Sequence, residues 1–132
     1  MPVLSEKKIT VQEPKLVGIP DRIHLTFTDE LVVVENKTGR PNKKKADDYK
    51  IDLLWYKLLV GLKYGWKTFS GIVYFPYDNS TFKYEITDED VEELKKDIES
   101  TRQAILNNEF TPKPSKKNCG WCNYKKWCEH VI

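Results

Sequence analysis

The chain has 132 residues, 39% of them hydrophobic, 12% aromatic and 32% charged. That is enough for one domain with one core under a heavily solvated surface, and no apolar run approaches the roughly 20 residues of a bilayer-spanning helix. The opening MPVLSEKKIT lacks the apolar centre of a secretory signal, so the reading is a soluble, cytoplasmic protein with no membrane partner.

In chain order, Leu4 to Val11 alternates loosely and reads as a short strand, and Pro14 and Gly18-Ile19-Pro20 mark turns. Asp21 to Phe27 alternates polar and apolar residues, as a strand with one buried face does. Thr28-Asp29-Glu30 reads as a tight turn, and Leu31 to Lys37 as the hairpin partner. The basic segment TGRPNKKKADD reads as a loop. Helical periodicity then runs to about Tyr64, with Ile51, Leu54, Tyr56, Leu58, Leu59 and Leu62 on one broad face. Asp47 or Asp48 is placed to cap its start and Gly65 to end it.

Thr68 to Phe75 and Thr81 to Ile86 read as strands joined by a turn at Tyr77-Asp78-Asn79-Ser80. Thr87, with Asp90 three residues on, opens a helix to about Asn107, and Pro112 and Pro114 stop it. This order predicts an α/β (α+β) fold with a small central mixed sheet flanked by helices. The core is expected over 1–112, and a cysteine-rich tail packed on it over 113–132.

Charge is unevenly spread although the net charge is only +2. Lys37 to Lys50 holds six basic residues and Lys113 to Lys126 five more, while Glu85 to Glu99 holds eight carboxylates against two lysines. Separated charge can hold a polyanion on one side, but taken by themselves these runs read as plain solvated faces.

Strand geometry puts Glu35 and Lys37 on one face with Val33, and Val32 and Val34 on the other. If the preceding strand pairs with this one, Asp21 lies near Glu35. Two carboxylates so placed repel unless a cation sits between them, and Mg²⁺ takes one or two carboxylates and keeps waters. A lysine beside them can orient or help deprotonate a water and offset charge on a phosphate. Glu-x-Lys alone is a common tripeptide and reads first as a salt bridge at a strand end; its context raises the functional reading. His24 does not share the Asp21 face and reads as a rim residue, not a ligand.

Near the C-terminus, CGWCNYKKWC sets Cys119, Cys122 and Cys128 in a C-x2-C-x5-C array. Three clustered cysteines suit a metal or cluster site better than a disulfide framework. They are one ligand short of a closed Cys₄ site, and His130 is the nearby candidate for the fourth. Lys116, Lys117, Lys125 and Lys126 surround Trp121, Tyr124 and Trp127, the composition of a single-strand binding surface. The tryptophans suit packing as well; one is expected to pack and one to be exposed.

GIPDRI and VVVENKTG, with thirteen residues between Asp21 and Glu35, followed by DLLWY on a helix, resemble the PD-(D/E)XK nuclease superfamily. The resemblance is to the RecB/AddB-like branch, including the related CRISPR-associated exonucleases, and runs from Gly18 to Cys128. It implies a restriction-endonuclease-like fold and a Mg- or Mn-dependent deoxyribonuclease, exonuclease-like on single strands or ends. Asp21 and Glu35 would be metal ligands, with the backbone carbonyl of Asn36. Lys37 would act on the attacking water, and Tyr56 would place the nucleic acid. Asp52 stands where that family usually has Gln; a carboxylate there could bind metal but would repel phosphate, which bears on the Tyr56 role.

The resemblance further implies that Cys119, Cys122 and Cys128 bind a 4Fe–4S cluster with an upstream cysteine. No cysteine precedes Gly18, so the chain reads as the family with its N-terminal part shortened. A fourth ligand would then be His130, a non-protein group, or a residue from a partner chain or second copy, or else zinc replaces the cluster. The alternative function is a catalytically weak DNA-binding or accessory subunit with the same tail, and a third reading is a zinc-knuckle adaptor.

Overall fold

The computed structural model describes residues 2–132. Two compact units are present, Met1–Lys96 and Asp97–Ile132.

In the first unit the strands are β1 (Pro2–Ser5), β2 (Ile9–Gln12), β3 (Lys15–Gly18), β4 (Arg22–Leu25), β5 (Leu31–Asn36), β6 (Thr68–Phe75) and β7 (Ser80–Glu85). Among the described residues the helices are α1 (Lys43–Asp48), α2 (Lys50–Tyr64), α3 (Asp88–Leu106) and α4 (Lys116–Trp121). Five strands form a sheet in the order β1-β4-β5-β6-β7, and β2 and β3 form a separate hairpin. The pair β5–β6 is parallel and the other pairs of the large sheet are antiparallel. This is the expected mixed sheet with helices, consistent with a restriction-endonuclease-like fold.

The β4–β5 hairpin forms with Arg22 opposite Val34 and Ile23 opposite Val33. Its turn closes through Asp29 N–H on the Thr26 carbonyl, at 3.1 Å, with Asp29 at φ 60°, a conformation Asp tolerates better than most residues. The run Val32-Val33-Val34 is buried on both faces of β5, as suits the centre of a sheet.

Parallel β5 and β6 require a crossover, and α2 lies within it. Leu53 of α2 packs with Val33, Val73 and Phe75, while Leu59 and Val60 pack with Ile9, Val11 and Ile23. The helix thus has a buried side toward the sheet and another toward the β2–β3 hairpin. The buried set is accordingly Leu53, Lys57, Leu58, Leu59 and Val60, and Ile51 and Leu62, expected on the apolar face, are exposed. Two glycines permit this approach. A Cβ on Gly71 of β6 would sit 2.8 Å from Leu53 Cδ1, and one on Gly18 would sit 2.5 Å from Leu59 Cδ1.

Other local expectations shift. Leu4 to Val11 is interrupted, with strands on either side of Glu6 at φ 48°. The basic segment contains α1, capped by the Asn42 side chain accepting from Lys45 N–H at 3.1 Å. Neither Asp47 nor Asp48 caps a helix: both end α1, and α2 starts from Tyr49 without a side-chain cap. Gly65 does end α2, at φ 69°. Thr87 and Asp90 hydrogen-bond reciprocally at 3.1 and 3.3 Å across the start of α3.

Candidate metal centre and its surroundings

The register of β4 and β5, continued one step past Arg22 opposite Val34, sets Asp21 opposite Glu35. Asp21 Oδ2 accepts the backbone N–H of Asn36 at 2.7 Å, which fixes the first carboxylate at the end of the second strand. Asn36 turns its side chain the other way, accepting from Arg22 at 3.1 Å. Glu35 is only 6% exposed. Its Oε1 meets Lys37 Nζ at 3.2 Å, and its Oε2 is buried with no hydrogen-bond partner.

That orphaned oxygen is costly. Burial, reinforced by Asp21 and more weakly by Asp52, raises the Glu35 proton affinity, and the Lys37 contact only partly opposes it. An apolar strand end carrying two facing carboxylates, one with an unpartnered buried oxygen, fits a hard divalent cation, whose ligands are oxygens.

Lys37 is held from three sides. Besides Glu35, Asp52 Oδ2 lies 3.7 Å from Nζ, and Nζ stands 3.9 Å from the centre of the Tyr49 ring. Burial works against its charge, but the hydrogen bond and charge of Glu35, then Asp52, outweigh it and raise its pKa. Lys37 is therefore a firm cation. Tyr56, half-buried, is pushed up to about 12 by burial and then by Glu35, Asp52 and Asp21. Its phenol keeps its proton beside the acidic cluster. Trp55 packs against the apolar cluster around Leu59.

The sequence pattern thus brought Asp21, Glu35, Asn36 and Lys37 together, with Tyr56 nearby. It missed Tyr49 and the part Asp52 plays. Tyr49 and Asp52 are three apart, and Asp52 N–H donates to the Tyr49 carbonyl at 3.1 Å. That spacing at a helix start puts both on one side, which was the available signal. His24 is on the face away from Asp21, partly buried, with burial and then Arg22 lowering its pKa.

The basic run is largely engaged internally. Lys43 pairs with Asp47 at 3.0 Å, Lys50 with Asp90 at 3.6 Å, and Lys45 donates to the Thr38 carbonyl at 3.2 Å. Arg40 lies over the Tyr77 ring. Of the six, Lys44 stands exposed with no partner among these contacts.

In the second unit, Cys119, Cys122 and Cys128 are free and partly buried. They line one cavity of about 160 Å³ with His130, Asn118 and the Pro112–Pro114 segment. Among the described residues no three His, Cys, Asp or Glu side chains stand in metal-holding geometry. Trp121 and Trp127 are 87% and 78% exposed, so neither packs as one was expected to.

The family model of the PD-(D/E)XK nuclease superfamily matches residues 1–129. The chain belongs to the PD-(D/E)XK nuclease superfamily. Nucleases of this superfamily usually use divalent metals such as Mg²⁺. The crystal structure of SSO0001 is similar, with a TM-score of 0.56 at 21% identity, over 98% of this chain and 59% of that one. This likeness bears on fold, and the chain spans less than two thirds of that protein's length. A search among curated proteins finds no match. Among the described residues no helix is long and apolar enough to cross a membrane.

Proposed function

We propose that this PD-(D/E)XK protein is a Mg²⁺- or Mn²⁺-dependent deoxyribonuclease, exonuclease-like on single strands or DNA ends, of the RecB/AddB-like branch. The observation that carries the reading is the buried, unpartnered Glu35 Oε2 beside Asp21, with Lys37 Nζ 3.2 Å from the other Glu35 oxygen.

Asp21, Glu35 and the Asn36 backbone carbonyl would hold the cation. When bound, such an ion polarises a phosphoryl oxygen and acidifies a water. Lys37, kept charged by its carboxylates, orients the attacking water and offsets the negative charge growing on the phosphate. The water oxygen forms the new bond to phosphorus as the ester P–O bond breaks; the attacking water gives up a proton to solvent, and the leaving oxygen takes one from solvent. Tyr56, a neutral phenol, donates a hydrogen bond to the nucleic-acid backbone.

We read 1–112 as the nuclease-like core and 113–132 as a tail holding a 4Fe–4S cluster, or zinc in its place. Cys119, Cys122 and Cys128 supply three thiolates around their shared cavity, with the fourth ligand from His130, a partner chain or a second copy. A second reading, DNA binding without turnover, is favoured by the exposed Trp121, Tyr124 and Trp127 among lysines, which suit stacking on single-strand bases.

Cleavage of single- and double-stranded DNA, with Mg²⁺, Mn²⁺ or chelator, separates the two. Metal-dependent cleavage abolished by Glu35→Ala and Lys37→Ala is expected; undiminished cleavage by both variants would sink the mechanism. Salt-sensitive single-strand binding without cleavage would favour the second reading. Iron, sulfide and zinc analysis with a visible spectrum of anaerobically purified protein identifies what the cysteines hold.

A further inference from the structure

We infer that Tyr49 and Asp52, at the start of α2, form a clamp that positions Lys37 independently of Glu35. The inference rests on the nuclease reading for its catalytic meaning, but its geometry stands on side-chain contacts alone.

Lysine has a flexible four-carbon stem with substantial rotamer entropy to lose. Near a strand end it would sample many positions. Here its ammonium is bounded by Glu35 Oε1 at 3.2 Å, Asp52 Oδ2 at 3.7 Å and the Tyr49 ring at 3.9 Å. The first wall comes from β5 and the other two from the first turn of α2 and the residue that starts it. Asp52 is partly solvated, with its side chain 39% exposed, so its pairing adds little to fold stability. Its consequence is geometric.

Glu35 has two claims on it, Lys37 and the cation. Asp52 gives Lys37 a second carboxylate partner that does not depend on Glu35. A negative charge near an incoming phosphodiester also opposes substrate binding. Asp52 therefore trades substrate affinity for a fixed Lys37. Tyr49 closes the third side with a cation–π contact, shielding the ammonium without adding another formal charge.

The clamp is read directly by amine labelling of the full, metal-free chain, with residue-level rates from mass spectrometry. Lys37 is expected to react several-fold faster in Asp52→Asn and in Tyr49→Leu, with protection restored by Asp52→Glu and circular dichroism unchanged. In Mg²⁺-dependent cleavage, Asp52→Asn is expected to lower kcat about tenfold while KM stays equal or falls. Equal Lys37 labelling in wild type and Asp52→Asn would overturn the clamp. So would an Asp52→Asn variant whose KM changes while its kcat stays at the wild-type value. A wild type that never cleaves DNA, yet loses Lys37 protection in Asp52→Asn, would refute the nuclease reading and leave the clamp standing.

Discussion

Replacing Glu35 by Gln should make the metal-free protein more stable while removing its response to metal. The wild-type carboxylate is 6% exposed, has an oxygen without a partner, and faces Asp21. Glutamine keeps a polar group in place but removes the charge, relieving its burial and its repulsion by Asp21, about 1–3 kcal/mol. The change also gives up the Lys37 contact, which is partly solvent-screened and worth about 0.2–1 kcal/mol. Lys37 keeps Asp52 as a counter-charge. The balance is a gain of about 1 kcal/mol, or about 4 °C in Tm for a chain of this size. Metal reverses the order: at about 100 times its Kd a cation stabilises the wild type by about 2.7 kcal/mol, and the variant gains little. Thermal unfolding by circular dichroism, in chelator and across a Mg²⁺ series, reads both effects. A variant less stable than wild type in chelator, or equal Mg²⁺ stabilisation of both, would refute the reasoning.

Three further outcomes are expected. Gly71→Ala places a methyl 2.8 Å from Leu53 Cδ1; overpacking should cost about 1–3 kcal/mol, measured by urea unfolding, and should lower cleavage because Leu53 adjoins Asp52. Tyr84→Phe tests a pH effect. Burial and then its 2.7 Å bond to Asp47 push the Tyr84 hydroxyl up to about 12. Wild-type stability should therefore fall as pH rises from the ordinary value of 10.0 toward about 12, and the variant should lose that part of the fall. The same bond lowers the Asp47 pKa, so the stability it lends above pH 3.8 is lost on acidification, and less is lost in the variant. Titration of tyrosinate absorbance with parallel unfolding curves checks both limbs. Thr87→Ala removes the hydroxyl that accepts from Asp90 N–H at 3.1 Å and should cost about 1 kcal/mol, read by chemical denaturation.

Local chemistry made much of this molecule legible. The strands at Asp21 to Phe27, Leu31 to Lys37 and Thr68 to Phe75, the Gly65 stop and the Thr87 start all declare themselves through alternation, β-branching and capping, which act between near neighbours. Helix α1 did not, because Lys43-Lys44-Lys45 reads as solvated and one alanine is its sole buried residue. The β2–β3 hairpin did not either, since its strands are four residues each and their inward residues lean on α2. That same hairpin explains the misplaced face of α2: a helix covered on two sides has no single apolar stripe to read.

The candidate site divides along the same line. Strand periodicity by itself determined that Glu35 and Lys37 share a face, and hairpin pairing that Asp21 could lie across from them. Which oxygen is left unpartnered, and which groups enclose the ammonium, depended on α2 crossing from β5 to β6. Only that long-range packing brings Tyr49, Asp52 and Tyr56 to the end of β5. A local pattern encodes the direction of a side chain along its own element. It does not encode what another element, folded back over it, will place within 4 Å.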